Sequence, residues 1–163
     1  MYVRLYAVAS SSASAARSDL FDVLVRTETR LYNAVGERLR EEHGIVASQF
    51  ELLRHLRDHP GTRVAEIASA FVAGIGAISK GVGRLERSGW AVREPNPDDR
   101  RSSLIRLTAS GAALVDAAER TFEQQLERLL AAALTDDQIG TAAAVLGVLR
   151  RSLEERRIGM PVG

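Results

Sequence analysis

Two adjacent arginines, Arg100 and Arg101, follow two prolines and two acids in the stretch PNPDDRRSSLIRLT, residues 95–108. A loop that only joins two elements has no need of paired guanidiniums at its tip. A guanidinium is planar, always charged and weakly hydrated, which suits it to phosphates and to the concentrated negative potential of a narrow nucleic-acid groove. Asp99 stands two residues before Arg101, close enough to hold that side chain extended. Other residues invite other chemistry. His55 and His59 are four apart on one helix face, with His43 upstream, a spacing suited to metal ligation. With no cysteine and no clear third ligand, the pair reads better as surface histidines near a helix end. The glycine run around Gly74, Gly76, Gly81 and Gly83 has no Gly-Lys-Ser/Thr ending and follows no strand, which argues against a nucleotide loop. Asp136-Asp137 and Glu41-Glu42 are helix-end charges rather than a catalytic pair. Arg150-Arg151 and Arg156-Arg157 interleave with Glu154-Glu155, as on a solvated helix face.

The chain has 163 residues, enough for one domain with a real core. Apolar residues make up 45% but aromatics only 5%, so the core is built from Leu, Val, Ile and Ala, a composition that favours helices. The absence of cysteine excludes disulfides, thiolate catalysis and cysteine redox sensing, and suits a reducing cytoplasm. Net charge is +1, yet between Lys80 and Arg106 seven bases face four acids, which hints at an anionic partner. The opening MYVRLYAVASSSASAARS has a short apolar run broken by Arg4 and no preceding basic region, so it reads as a frayed tail rather than a signal peptide. No stretch approaches the apolar length of a membrane span.

Leu20, Leu24, Leu31, Val35 and Leu39 recur at helical spacing from about Asp19 to a stop at Gly44. A second helix carries Phe50, Leu52, Leu53 and Leu56, with Ser48 as its expected cap. Thr62 is the expected cap of a short third helix, and a fourth runs from about Ile75 to Ser88, stopping at Gly89. Strands are expected over 90–94 and 103–107, which makes the arginine loop the tip of a β-hairpin. Two helices finish the chain, the second opened by a Thr135…Gln138 capping box.

Helix, short break, helix, then hairpin is the order of a winged helix-turn-helix, in which the second helix enters the major groove and the hairpin tip reaches the minor groove. The run Asp99-Arg100-Arg101-Ser102 followed by Leu107-Thr108-Ala109-Ser110-Gly111 resembles the wing signature of the MarR family of bacterial transcription regulators. Ser79-Lys80, Leu85, Glu86, Gly89 and Trp90 fit its recognition helix and exit turn, and Gln49-Phe50 with Leu53 and Leu56 fit the helix before the motif. The likeness spans about Leu20 to Leu153. It implies a homodimer interlocked through its first and last helices, a pseudo-palindromic operator in double-stranded DNA, and release by a small phenolic or carboxylate effector. It also implies DNA contacts from Ser79, Lys80, Arg84, Arg87, Arg100 and Arg101, with Asp99 bracing Arg101. One departure stands out: Gly76 occupies a place where the family often has a polar base-reading residue.

The expected fold is therefore mainly α with a small β-hairpin, a winged helix-turn-helix core plus terminal dimerisation helices. The expected organisation is a tail over 1–18, a dimerisation helix over 19–45, the DNA-binding domain over 46–109, dimerisation helices over 110–157 and a tail over 158–163. The expected function is a cytoplasmic repressor with no enzymatic activity, cofactor, metal or membrane partner. Candidate effector-binding residues at the junction of dimer helices and winged core are Arg26, Tyr32 and Phe50. Two rival readings are a winged-helix protein-interaction module and a metal-responsive protein using His55 and His59. Lys80, Arg84 and Arg87 weigh against the first.

Overall fold

The computed structural model describes residues 2–160, with side chains from Ser14 onward. Helix α1 (Tyr2–His43) leads to α2 (Ala47–Asp58), a two-residue strand β1 (Thr62–Arg63), α3 (Val64–Ala70) and α4 (Ile75–Arg87). Strands β2 (Ala91–Pro95) and β3 (Ser103–Leu107) follow, then α5 (Ala109–Ala131) and α6 (Asp136–Glu155). The mainly helical winged architecture agrees with the sequence reading, with one element added, the two-residue strand β1.

The larger differences each have a local reason. Helix α1 continues N-terminally through most of the segment expected as a tail, because residues 2–18 contain neither Gly nor Pro and are rich in alanine. Met1 and residues 161–163, parts of the two expected tails, lie outside the described residues. Helix α2 begins before Ser48, with Val46 at the cap position and its N–H donating to Gln49 Oε1 at 3.0 Å. Thr62 lies in a strand rather than capping a helix. It pairs with Ile105, so the hairpin gains a third strand in the order β1-β3-β2. The cap of α3 falls instead to Glu66, whose carboxylate accepts the Arg63 N–H at 2.8 Å.

Strand β3 is central, and Ile105 on it is fully buried. Around it pack Leu39 from α1, Phe50, Leu53 and Leu56 from α2, Ile67 from α3, Val82 and Leu85 from α4, and Val115 and Ala118 from α5. A Val, Leu, Ile or Phe side chain contributes about 1.5–3 kcal/mol when fully buried, and the stripes read from sequence enter this core at Val35 and Leu39 of α1 and throughout α2, whereas Leu20 stays exposed. Helix α1 is tied to α5 by a polar contact as well. Thr121 donates to Glu42 Oε2 at 2.5 Å and lies 2.8 Å from His43 Nε2. That hydrogen bond holds the Glu42 carboxyl below its ordinary range.

Among the described residues none of α6 is fully buried against its own chain, and Leu20, Phe21, Val23 and Val25 of α1 are exposed. Among the described residues no single helix is long and apolar enough to cross a membrane.

Candidate nucleic-acid interface

Helix α4 leaves a tight turn after α3. Val72 adopts φ 51, a left-handed conformation that a β-branched residue takes at a cost, and the Ala73 N–H reaches back to the Ala68 carbonyl at 2.9 Å. From Gly74 the chain enters α4, which buries Val82 and Leu85 and turns Ile75, Gly76, Ala77, Lys80, Arg84 and Arg87 outward. Ser79 is half-buried on the flank of that face. Lys80, Arg84 and Arg87 recur at spacings of four and three, so they line one side of the helix. The glycines have distinct settings. A Cβ at Gly81 would come within 3.3 Å of Leu52 Cδ2, so that glycine lets α4 lie close on α2. A Cβ at Gly76 would meet nothing, which leaves bare backbone facing outward.

The exit of α4 is a Schellman turn. Gly89 takes φ +74, its N–H donates to the Glu86 carbonyl at 2.9 Å, and the Trp90 N–H donates to Leu85 at 2.9 Å. The same turn anchors the start of α5. Thr108 Oγ1 donates to the Gly89 carbonyl at 2.7 Å and accepts the Gly111 N–H at 3.0 Å, capping α5.

The loop between β2 and β3 is built on hydrogen bonds rather than on its prolines alone. Buried Asn96 donates to Ser102 Oγ at 2.8 Å and accepts the Asp98 N–H at 3.0 Å. Asp99 accepts the Arg101 backbone N–H at 3.0 Å through Oδ1, and its carbonyl accepts the Ser102 N–H at 3.0 Å. Asp99 therefore fixes the backbone from which the Arg101 side chain projects, where it was expected to hold the side chain itself extended. Arg100 and Arg101 are both exposed at the tip.

Ion pairing divides the cations of this region sharply. Arg93 on β2 pairs with Glu86 at 2.9 Å and donates to the Ser79 carbonyl at 3.4 Å, tying the strand to α4. Arg106 pairs with Glu94 at 2.9 Å, and Arg63 pairs with Glu66 at 2.6 Å. Among the described residues, Lys80, Arg84, Arg87, Arg100 and Arg101 have no carboxylate partner. These five are the cations expected to meet DNA. Sequence reasoning did not single out Arg93 or Asn96, and it took in Ser102 only as part of the wing signature. Their roles depend on what the hairpin brings beside them, and only the conformational demand of the loop hinted at the last two.

The histidines do not assemble a metal site. The His55 and His59 rings stack at 4.4 Å, and His55 meets the Phe71 ring edge at 5.3 Å. His43 is engaged with Thr121 on α5, and no group of three His, Asp or Glu suited to a metal occurs among the described residues. Of the three candidate effector residues, Tyr32 and Phe50 line one cavity of about 420 Å³ at the junction of α1, α2, α5 and α6. Arg26 is not on its wall. Its Nε is held by both oxygens of Asp22 at 2.8 and 2.7 Å on the exposed side of α1.

A family model described as "MarR family" matches residues 45–103. The multiple antibiotic resistance protein MarR of Escherichia coli is 30% identical over 135 residues, covering 79% of this chain and 94% of that protein. The transcriptional repressor NicR of Pseudomonas putida is 30% identical over 131 residues, 80% of each chain. A crystal structure of a cysteine-to-serine mutant of the E. coli MarR, complexed with operator DNA, superposes with a TM-score of 0.75. Its identity is 27%, over 80% of this chain and 93% of that one.

Proposed function

The chain belongs to the MarR family of transcriptional regulators, and from that premise we propose that it is a homodimeric repressor of a pseudo-palindromic operator, released by a small molecule. One observation carries the DNA reading. Five cations on α4 and the wing stand without carboxylate partners while Arg93, Arg106 and Arg63 beside them are paired. A surface that keeps its charges unneutralised gains by releasing counterions from phosphates. In this arrangement the outward face of α4 meets base edges and phosphates of the major groove. Arg100 and Arg101 reach the neighbouring minor groove. The operator complex of the E. coli relative supports operator DNA as the partner, and the repressor NicR supports the direction of control.

The dimer is supported by apolar surface that the single chain does not cover, on α1 and α6. The cavity at their junction with the winged core supports ligand release, since a molecule there can bias the spacing of two recognition helices. The relatives are regulators rather than enzymes, and this reading needs no cofactor. The cysteine-free composition fits a cytoplasmic place. The unpaired cations disfavour the protein-interaction alternative.

The test is selection from a pool of random duplexes by the native protein, followed by retardation assays. Enrichment of a two-fold-related sequence, bound with strong salt dependence, is the expected result. Failure to enrich any duplex would remove the reading.

A further inference from the structure

The cavity at the helix junction, about 420 Å³, is large enough for a compact organic molecule. Its wall is mainly aliphatic and aromatic, from Leu31, Val35, Phe50, Phe122, Leu126 and Leu146. Among the described residues its charged groups have one sign: Glu28 from α1 and Glu51 from α2 line it, and no lysine, arginine or histidine does. The Tyr32 hydroxyl, also on the wall, donates to Glu51 Oε2 at 3.4 Å. Two neighbouring guanidiniums are engaged elsewhere. Arg26 is bound to Asp22, and Arg54 lies over the Phe50 and Phe122 rings at 5.6 and 5.2 Å and pairs with Glu119 at 3.5 Å.

An acidic effector fits this wall poorly. A carboxylate entering here would bring a third negative charge into an apolar space with no cation to meet it, which costs desolvation without compensation. A protonated amine meets the reverse situation. Burial pushes the Glu51 carboxyl above its ordinary range, against the pull of the Tyr32 hydrogen bond and of the Arg54 charge, and the neighbouring Glu28 charge adds to the rise, so a further cation beside it relieves an existing penalty.

We propose that this cavity takes an apolar amine, with its charged nitrogen held between Glu28 and Glu51 and its hydrocarbon or aromatic body against the wall. The proposal rests on the ligand-release reading above and replaces the phenolic or carboxylate effector expected from the family resemblance. A larger crevice of about 630 Å³ between α2 and α4 shares Glu51 but not Glu28, and has Arg84 on its wall. Glu28 therefore reports on the smaller cavity alone.

The experiment titrates phenethylamine, phenethyl alcohol and phenylacetate, one skeleton with three charges, into the full native chain by calorimetry at fixed pH and salt. The amine is expected to bind roughly tenfold more tightly than the alcohol, and phenylacetate to bind weakest. Glu28→Gln, at an exposed position where folding is checked by circular dichroism, is expected to erase most of the amine's advantage. Equal affinities, tighter binding of phenylacetate, unchanged amine affinity in the Glu28 variant, or no binding by any of the three would overturn the proposal. The same titrations repeated with the selected duplex separate the two readings. Amine binding that leaves DNA affinity unchanged supports the cavity and sinks only ligand-released regulation.

Discussion

The carbonyl oxygen of Trp90 occupies the place where any side chain at Gly111 would begin. A Cβ there would overlap that oxygen and come within 3.1 Å of the Trp90 Cα. The glycine of the Leu-Thr-x-x-Gly signature thus lets the first turn of α5 rest on the exit of α4, while Thr108 stitches both to Gly89. Neither neighbour is a flexible side chain that can swing away. Gly111→Ala is expected to destabilise the protein by about 1–3 kcal/mol or more, as overpacking against fixed backbone does. Denaturant unfolding measures it. A loss under 0.5 kcal/mol would mean that the two segments are not held as tightly as this contact requires.

Arg101 projects from a backbone that Asp99 holds, and no carboxylate competes for its guanidinium. Arg101→Ala should weaken binding to the selected duplex by about 1–3 kcal/mol, with fold and assembly intact, and Lys80→Ala should lower the salt slope by about 1 across all sequences. Retardation assays over a salt series distinguish the two effects. Unchanged affinity in the Arg101 variant would take the wing out of DNA recognition.

The helices, the turn glycines and the wing were legible because they are local. Apolar residues at helical spacing named Leu39, Phe50, Leu52, Leu53 and Leu56, all of them buried, and Gly89 announced the end of α4. What stayed hidden depends on pairing across the fold. Strand β1 is two residues long and exists only because β3 offers it an edge at Ile105. Arg93 looked like one more base in a positive run, yet its partners Glu86 and Ser79 neutralise it and make it a strut between β2 and α4. The acidic wall of the junction cavity joins residues from two helices, which no spacing rule connects. Arg26 was a candidate there, and Asp22 one turn earlier holds it on the exposed side of α1.

Gly76 offers a separate test of how α4 meets DNA. The space beside it is empty, so Gly76→Ala should stabilise the folded chain by roughly 0.5 kcal/mol through the helix preference of alanine. If the first turn of α4 lies close on the duplex, the added methyl should at the same time cost at least about tenfold in DNA affinity, or 1.4 kcal/mol. Thermal melts and retardation assays on one preparation read both effects. Higher stability with unchanged affinity would place the backbone at Gly76 away from the bases.

The start of α3 carries a pH signature. Glu66 accepts hydrogen bonds from the Arg63 side chain and backbone and from Thr62, and these hold its carboxyl at about 2 against an ordinary 4.5. Between those values the unfolded chain binds more protons, so stability rises with pH there. The contribution is complete above about 4.5 and is lost as pH falls through about 2. Glu66→Gln should lower the melting temperature at neutral pH, and the gap should close on acidification across that window. A gap that does not change with pH would assign the cost to packing rather than to charge.

The dimer can be tested without removing a helix. Val145 and Val148 are 63% and 61% exposed on α6, so in an isolated chain a charge at either site would cost little. In an interlocked dimer the same positions would be buried against a second copy, where an unpaired carboxylate is expensive. Val148→Glu should therefore shift sedimentation from dimer to monomer while leaving the helical circular-dichroism signal of the winged core. Deleting the chain after Leu134 is the harsher version, since it strips α6 and uncovers the α1 and α5 surfaces near it. If Val148→Glu sediments as the native protein does, or the truncation yields soluble, folded monomers, α6 is not the element that joins two copies. Loss of the dimer should also carry a loss of operator affinity. Two half-sites about 34–36 Å apart engage two recognition helices at once only while they are held together.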